Sequence, residues 1–326
     1  MRLVETLKPY LSRLYPIEVI LLVQASLVLA MAAFTPLRLY TPAIDWTFAQ
    51  VIIMYGLPMV LGFLLMQFVK LKQKRGLSGL LQDLMLFSRI LFSVILIICL
   101  MQNCKLWSQL IHDEPFDAVY HAIDQQFQWL MDWVLATKEA TRPPDFAYYT
   151  VYFLLFYIDL MVAAWHGHSV CQRIGIYFGC SMALGGFAYM IAPAYGPFAL
   201  PDDPFLAKGL VEIEITEFQQ QMLAFTERFR ASGGEDYQPK DFMYILGAMP
   251  SLHVAHVWVA VLCVWRYSWS LGFINLLMAL WITYMTVATR MHYLVDILGG
   301  LLVLALTIWL AEWMLKRWGI QDKKPA

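Results

Sequence analysis

The stretch MHYLVDILGGLLVLALTIWL, residues 291–310, decides between a soluble and a membrane fold. From Tyr293 to Leu310 its one charged residue is Asp296, and at a rise of about 1.5 Å per residue the run is long enough to cross a bilayer core. Working outward, comparable apolar blocks lie at 17–34, 51–69, 84–101, 147–164, 174–191, 252–265 and 271–287. The block at 252–265 reaches spanning length only if it starts near Pro250 and ends near Tyr267. The whole chain of 326 residues is 60% hydrophobic and 14% charged, where soluble chains carry about 25% charge. These observations predict an all-α, polytopic membrane bundle of about eight spans.

Charge between the blocks sets an orientation. Lys70, Lys72, Lys74 and Arg75 follow the second block, Arg173 follows the fourth, Arg266 the sixth, and Lys316, Arg317, Lys323 and Lys324 the last. The positive-inside rule places these connections and both termini in the cytoplasm. Asp113, Glu114, Asp117, Asp124 and Asp132, and later Asp202, Asp203, Glu212, Glu214 and Glu217, fall on the other side. The basic residues Arg2, Lys8 and Arg13 precede the first block, but that block is long and a second span follows, so it reads as a retained anchor. With a net charge of -1 and no basic stripe, the chain has no signature of a nucleic-acid partner. Cys99, Cys104, Cys171, Cys180 and Cys263 lie in or beside apolar blocks without metal-site or cystine spacing, and read as small buried hydrophobes. The abundant Trp and Tyr suit membrane interfaces and imply no cofactor.

The chain divides into two N-terminal spans, 1–80, and a six-span unit, 81–326. Two outer segments are more than connectors. Residues 115–136 alternate Phe127, Leu130, Met131 and Val134 with Asp124, Gln125, Gln128 and Asp132, a helical period with a wet face that suits the membrane surface. Residues 193–249 open with Pro193, Gly196, Pro197, Pro201 and Pro204, then read as helical over 210–230 before Gly233 and Gly234. Within the spans, Arg89 and Asp159 both fall in the cytoplasmic half, and the expectation is an ion pair across the third and fourth spans, with Arg89 snorkelling alone as the alternative.

Polar chemistry gathers at two outer helix mouths. Pro250-Ser251-Leu252-His253 stands at the start of the sixth span, where exposed helix N–H groups favour an anion. His292 and Asp296, four apart, lie one turn apart on one face, so the carboxylate can hold one imidazole proton and leave the other nitrogen free as a nucleophile or base. Arg290 offers a fork of donors to a phosphoryl group. Zinc held by His253, His292 and Asp296 is compatible with the spacing, but Arg290 opposes a cation, so no metal is assigned.

These two motifs, with Tyr293, Leu294 and Val295 inside the second, resemble the second and third signatures of the type 2 phosphatidic acid phosphatase superfamily. More closely they resemble the branch of fungal inositol phosphorylceramide synthase and related inositolphosphotransferases. The resemblance covers roughly residues 84–310. It implies His292 as the nucleophile that becomes phosphohistidine, Asp296 as its orienting carboxylate, His253 as the acid for the leaving alcohol, and Ser251 as a phosphate-binding hydroxyl. It also implies a basic first motif, yet residues 192–197 read Ala-Pro-Ala-Tyr-Gly-Pro, with Tyr195 and no basic side chain. Lys208, Arg228, Arg230 or Lys240 from the outer loop are the candidates to supply that charge.

A site at the water boundary suits a lipid whose phosphate is wet and whose chains stay in the bilayer, which favours a phospholipid or polyprenyl phosphate. An alcohol acceptor makes the enzyme a lipid phosphotransferase, and water makes it a phosphatase. A lipid transporter or flippase is the alternative of another class, with Arg89 and Asp159 as its clues.

Overall fold

In the computed structural model, residues 14–42, 64, 77–200 and 203–320 are described. The expected second span, 51–69, and the basic run after it lie outside the described residues. The helices are α1 Pro16–Phe34, α2 Leu77–Ile111, α3 Asp117–Gln126, α4 Gln128–Thr141, α5 Phe146–His166, α6 His168–Tyr189, α7 Ile213–Ala231, α8 Leu252–Trp265, α9 Trp269–Ala288 and α10 Leu294–Arg317. Among the described residues there is no β-strand.

Local chemistry sets the helix starts. Pro16 opens α1, with Glu18 accepting the Tyr15 N–H at 2.8 Å; Ser251 caps α8 and Ser268 caps α9. At α10, Asp296 turns back to accept the Tyr293 N–H at 2.9 Å. The helices α1, α5, α9 and α10, and the part of α2 from Leu84 to Ile111, are long and apolar enough to cross a membrane. Their outward faces carry Leu22, Leu27, Phe92, Leu298, Leu302 and Trp309 in the open, which lipid can solvate and water cannot. The chain is therefore a multi-pass membrane protein.

α6 is the hub, with α1, α2, α5, α8 and α10 all against it. Lipid tails are as apolar as leucine, so helix association in a bilayer depends on close fit between small residues. On α6, Gly175 and Gly179 admit Ile17, Ile20 and Ile90, Gly185 admits Leu252, and Gly186 admits the backbone of Met101. The N-terminal helix is thus part of the core.

The expected Arg89–Asp159 pair does not form. Arg89 bonds Glu18 of α1 through Nε at 2.6 Å and Nη2 at 2.5 Å, while Asp159 accepts from Asn275 Nδ2 of α9 at 3.4 Å. Two neighbouring helices present a closer partner to each group. The outer segment departs from its amphipathic reading at two residues, Asp124 and Phe127. It breaks at Phe127 into α3 and α4, and Asp124, assigned to the wet face, is buried against the loops beside it. Gln125, Gln128 and Asp132 are exposed and Met131 and Val134 buried, as the period requires, while Phe127, Trp129 and Trp133 are exposed too, side chains that suit a membrane interface.

α8 and α10 both begin at one end of the bundle, where α2 and α6 finish and where α3, α4, α7 and the 190–250 connection gather. Arg173, Arg266 and Lys316 lie at the opposite end, where Arg173 Nη1 meets Glu312 Oε1 at 2.8 Å.

Candidate active site

α10 carries Gly299 and Gly300 one turn after Asp296. A Cβ on Gly299 would meet the Met249 side chain at 2.6 Å, and one on Gly300 would run into the carbonyl of Ser251. Without those methyl groups α10 rests directly on the backbone that leads into α8, and Ser251 N–H donates to the Asp296 carbonyl at 3.0 Å. This close approach brings the two helix mouths together.

His253 and His292 face each other as a result. Nδ1 of His253 lies 3.2 Å from Nε2 of His292. The other nitrogen of His292, Nδ1, lies 2.9 Å from the carbonyl of Ala248 and 3.3 Å from Oδ2 of Asp296. Both of those partners are acceptors only, so Nδ1 carries the proton and Nε2 presents its lone pair to His253. Asp296 is fully buried and its Oδ1 has no partner among the described residues. The Ser251 hydroxyl is buried at the α8 start, where it accepts from Val254 N–H at 3.4 Å and keeps its own proton for another acceptor. Tyr148 and Tyr152 of α5 flank the His253 ring at 5.3 and 4.9 Å between centroids.

The remaining candidate residues are placed differently. Arg290 is buried, with Nε 2.6 Å and Nη2 2.5 Å from Oδ2 of Asp203 and its guanidinium over the Phe205 ring. Its backbone sits at φ +62°, and Phe198 N–H donates to its carbonyl at 3.2 Å, so the side chain clamps the turn before His292 to the outer loop. Nη1 has no partner among the described residues. Tyr195 donates its backbone N–H to Asp117 Oδ2 at 2.8 Å, and its hydroxyl accepts from Arg230. Lys208 pairs with Glu139 at 3.0 Å on the surface, Arg228 pairs with Asp241 at 2.8 Å, and Lys240 is exposed.

The acids of α3 frame the site from outside. Asp117 accepts from Tyr195 and Gly196 N–H groups and from the Tyr293 hydroxyl, each within 2.9 Å, tying the 195–197 turn to the residue after His292. Asp124 accepts from the Leu294 N–H at 3.1 Å, at the positive end of α10. Burial raises the carboxyl pKa of both and pushes Asp124 up to about 6. Sequence reasoning missed these supports, together with Asp203, Gly299, Gly300 and the Ala248 carbonyl. The Gly-Gly pair after the motif was a usable signal, whereas acids some 170 positions away gave none. Among the described residues no three His, Cys, Asp or Glu side chains are grouped to hold a metal ion.

The sequence profile described as PAP2 superfamily matches residues 120–310, more than half of the chain. The chain belongs to that superfamily, whose members are phosphatases and phosphotransferases acting on lipid phosphates, and it is accordingly a membrane enzyme of that class. No curated protein and no solved structure matches it.

Proposed function

We propose that the protein is a membrane lipid phosphotransferase of inositolphosphotransferase-like type, working through a phosphohistidine on His292. The observation that carries this reading is the orientation of the imidazole pair, with Nε2 of His292 bare and directed at Nδ1 of His253. In the first half-reaction Nε2 attacks phosphorus, the bond from phosphorus to the leaving alcohol breaks, and His253 gives that alcohol its proton. In the second, His253 takes the proton of an acceptor hydroxyl, whose oxygen attacks phosphorus and releases Nε2. Asp296 holds Nδ1 throughout and stabilises the charge that grows on the ring. The phosphoryl group displaces the contact between the histidines, with Ser251 and Nη1 of Arg290 as donors to its equatorial oxygens.

The substrate in this reading is a phospholipid or polyprenyl phosphate, with residues 81–326 as the catalytic unit. The site faces the non-cytoplasmic side and both termini are cytoplasmic, supported by the basic residues at the far end of the bundle. Tyr195 and its turn stand next to the site and are the place for an acceptor. Arg89 and Asp159 hold separate partners, which removes the polar route on which a transporter reading depended.

The test is a panel of labelled phospholipids and polyprenyl phosphates given to purified protein in lipid nanodiscs, with and without inositol, sugars and lipid alcohols. Acceptor-dependent product and an acid-labile phosphoenzyme are expected, both lost in His292→Ala while membrane insertion is unchanged. Free phosphate release indifferent to every acceptor makes the enzyme a phosphatase. Full activity in His292→Ala rejects the mechanism.

A further inference from the structure

The proposed site has a shortage of positive charge. The 192–197 turn has no basic residue, and Arg290 faces Asp203, so that pair adds a donor but no net charge. Lys208 and Arg228 are paired with carboxylates away from the histidines, and Arg230 is turned to Tyr195 and to the carbonyls of His112 and Asp113. A phosphoryl group in transfer needs compensating charge near its oxygens.

Lys105, on α2, has the opposite circumstances. Among the described residues no carboxylate lies within ion-pair distance of it, and its ammonium rests 4.6 Å from the centroid of the Tyr189 ring. Tyr189 ends α6, the helix against which α8 packs. A Cβ on Gly247 would stand 2.7 Å from Cε of Lys105 and 3.1 Å from the Tyr189 ring, so the bare backbone at Gly247 makes room for the amine. The next residue, Ala248, supplies the carbonyl that holds His292. One turn further along α2, Gln109 Nε2 donates to the Leu246 carbonyl at 2.9 Å and fixes this face of α2 against the 246–248 strand of chain. A half-buried cation without a counter-ion among the described residues, packed against the residue that precedes the carbonyl holding His292, is short of an anion.

We infer that Lys105 is a phosphate-binding residue of this site, delivering from α2 the positive charge that the 192–197 turn and Arg290 do not. The inference rests on the phosphotransfer reading and deepens it: the ligand is a phosphoryl anion attached to lipid, and the cation that meets it comes from a helix outside the motifs. The side chain approaches past Tyr189 and Gly247.

Inorganic vanadate, which mimics the phosphoryl group in transfer, separates the two claims. In the full-length protein, Lys105→Gln is expected to weaken vanadate inhibition about 10- to 100-fold, the scale of one charge-assisted hydrogen bond. Lys105→Arg should recover most of that loss, and Lys316→Gln, at the opposite end of the bundle, should change nothing. A measurement on the unaltered protein needs no variant to fold: saturating vanadate should shield Lys105 from acetylation by an amine-directed reagent, read residue by residue in a mass spectrum. Inhibition equal in wild type and Lys105→Gln, or acetylation of Lys105 indifferent to vanadate, overturns the role of Lys105 and leaves the histidine mechanism standing. No vanadate inhibition and no phosphoenzyme in the wild type overturns the mechanism, and the role of Lys105 with it.

Discussion

His292 is held by two acceptors at Nδ1, and the carbonyl of Ala248 is nearer than the carboxylate of Asp296. The carbonyl can fix the tautomer alone, but only a carboxylate stabilises a charged ring. Asp296→Asn is therefore expected to lower kcat by about 10³- to 10⁴-fold with a smaller change in KM, read by steady-state kinetics on the folded variant. Arg290 and Asp203 obey a different rule, because each is buried and each neutralises the other. Removing one partner leaves a charge stranded. Arg290→Ala should cost about 3–5 kcal/mol of stability, and the double replacement Arg290→Met with Asp203→Leu should cost much less, both measured by denaturant unfolding in detergent.

Gly300 governs how closely α10 approaches the mouth of α8. Gly300→Ala forces the Ser251 carbonyl and α10 apart and so separates His253 from His292. A displacement of about 1 Å at reacting groups costs on the order of 100-fold in rate, which is the loss expected in kcat, with the fold retained by circular dichroism. The start of α10 also depends on Asp124, whose carboxyl ionises near 6 in the fold against 3.8 ordinarily. Between those values the folded chain holds a proton that the unfolded chain has lost, so this group favours the fold at low pH and that support disappears as pH rises through about 6. The Tm of Asp124→Asn relative to wild type should accordingly rise between about pH 5 and about pH 7.5 in a thermal melt. A difference that stays flat with pH would show that the carboxyl titrates normally.

At the scale of the molecule, apolar outer faces and an α6 hub make the bundle, and a polar cap of α3, α4, α7 and the 190–250 connection covers one end. The orientation proposed for it has a direct check. In sealed right-side-out vesicles, a membrane-impermeant amine reagent should label the exposed Lys240 at the capped end and reach Lys316 only after permeabilisation. The reverse pattern would turn the site toward the cytoplasm.

The bundle was legible from sequence because lipid imposes a one-dimensional rule: a spanning helix must be apolar over a bilayer's length, and a run such as 293–310 records that without reference to any other segment. The spacing of four also pointed to the His292–Asp296 contact, but not to its form: His292 precedes α10, and the two meet because Asp296 turns back over the helix start, where it also accepts the Tyr293 N–H. Ion pairing was not legible, and Arg89 shows why. Its choice of Glu18 over Asp159 depended on which helices α6 drew together, and small residues at contacts decided that. The same physical cause buried Asp117 and Asp124, turned Arg290 toward Asp203 and set Lys105 against Tyr189 and Gly247. Periodicity along a chain fixes which groups share a face of one helix, whereas the partners they meet follow from the distances between helices, which only the folded bundle determines.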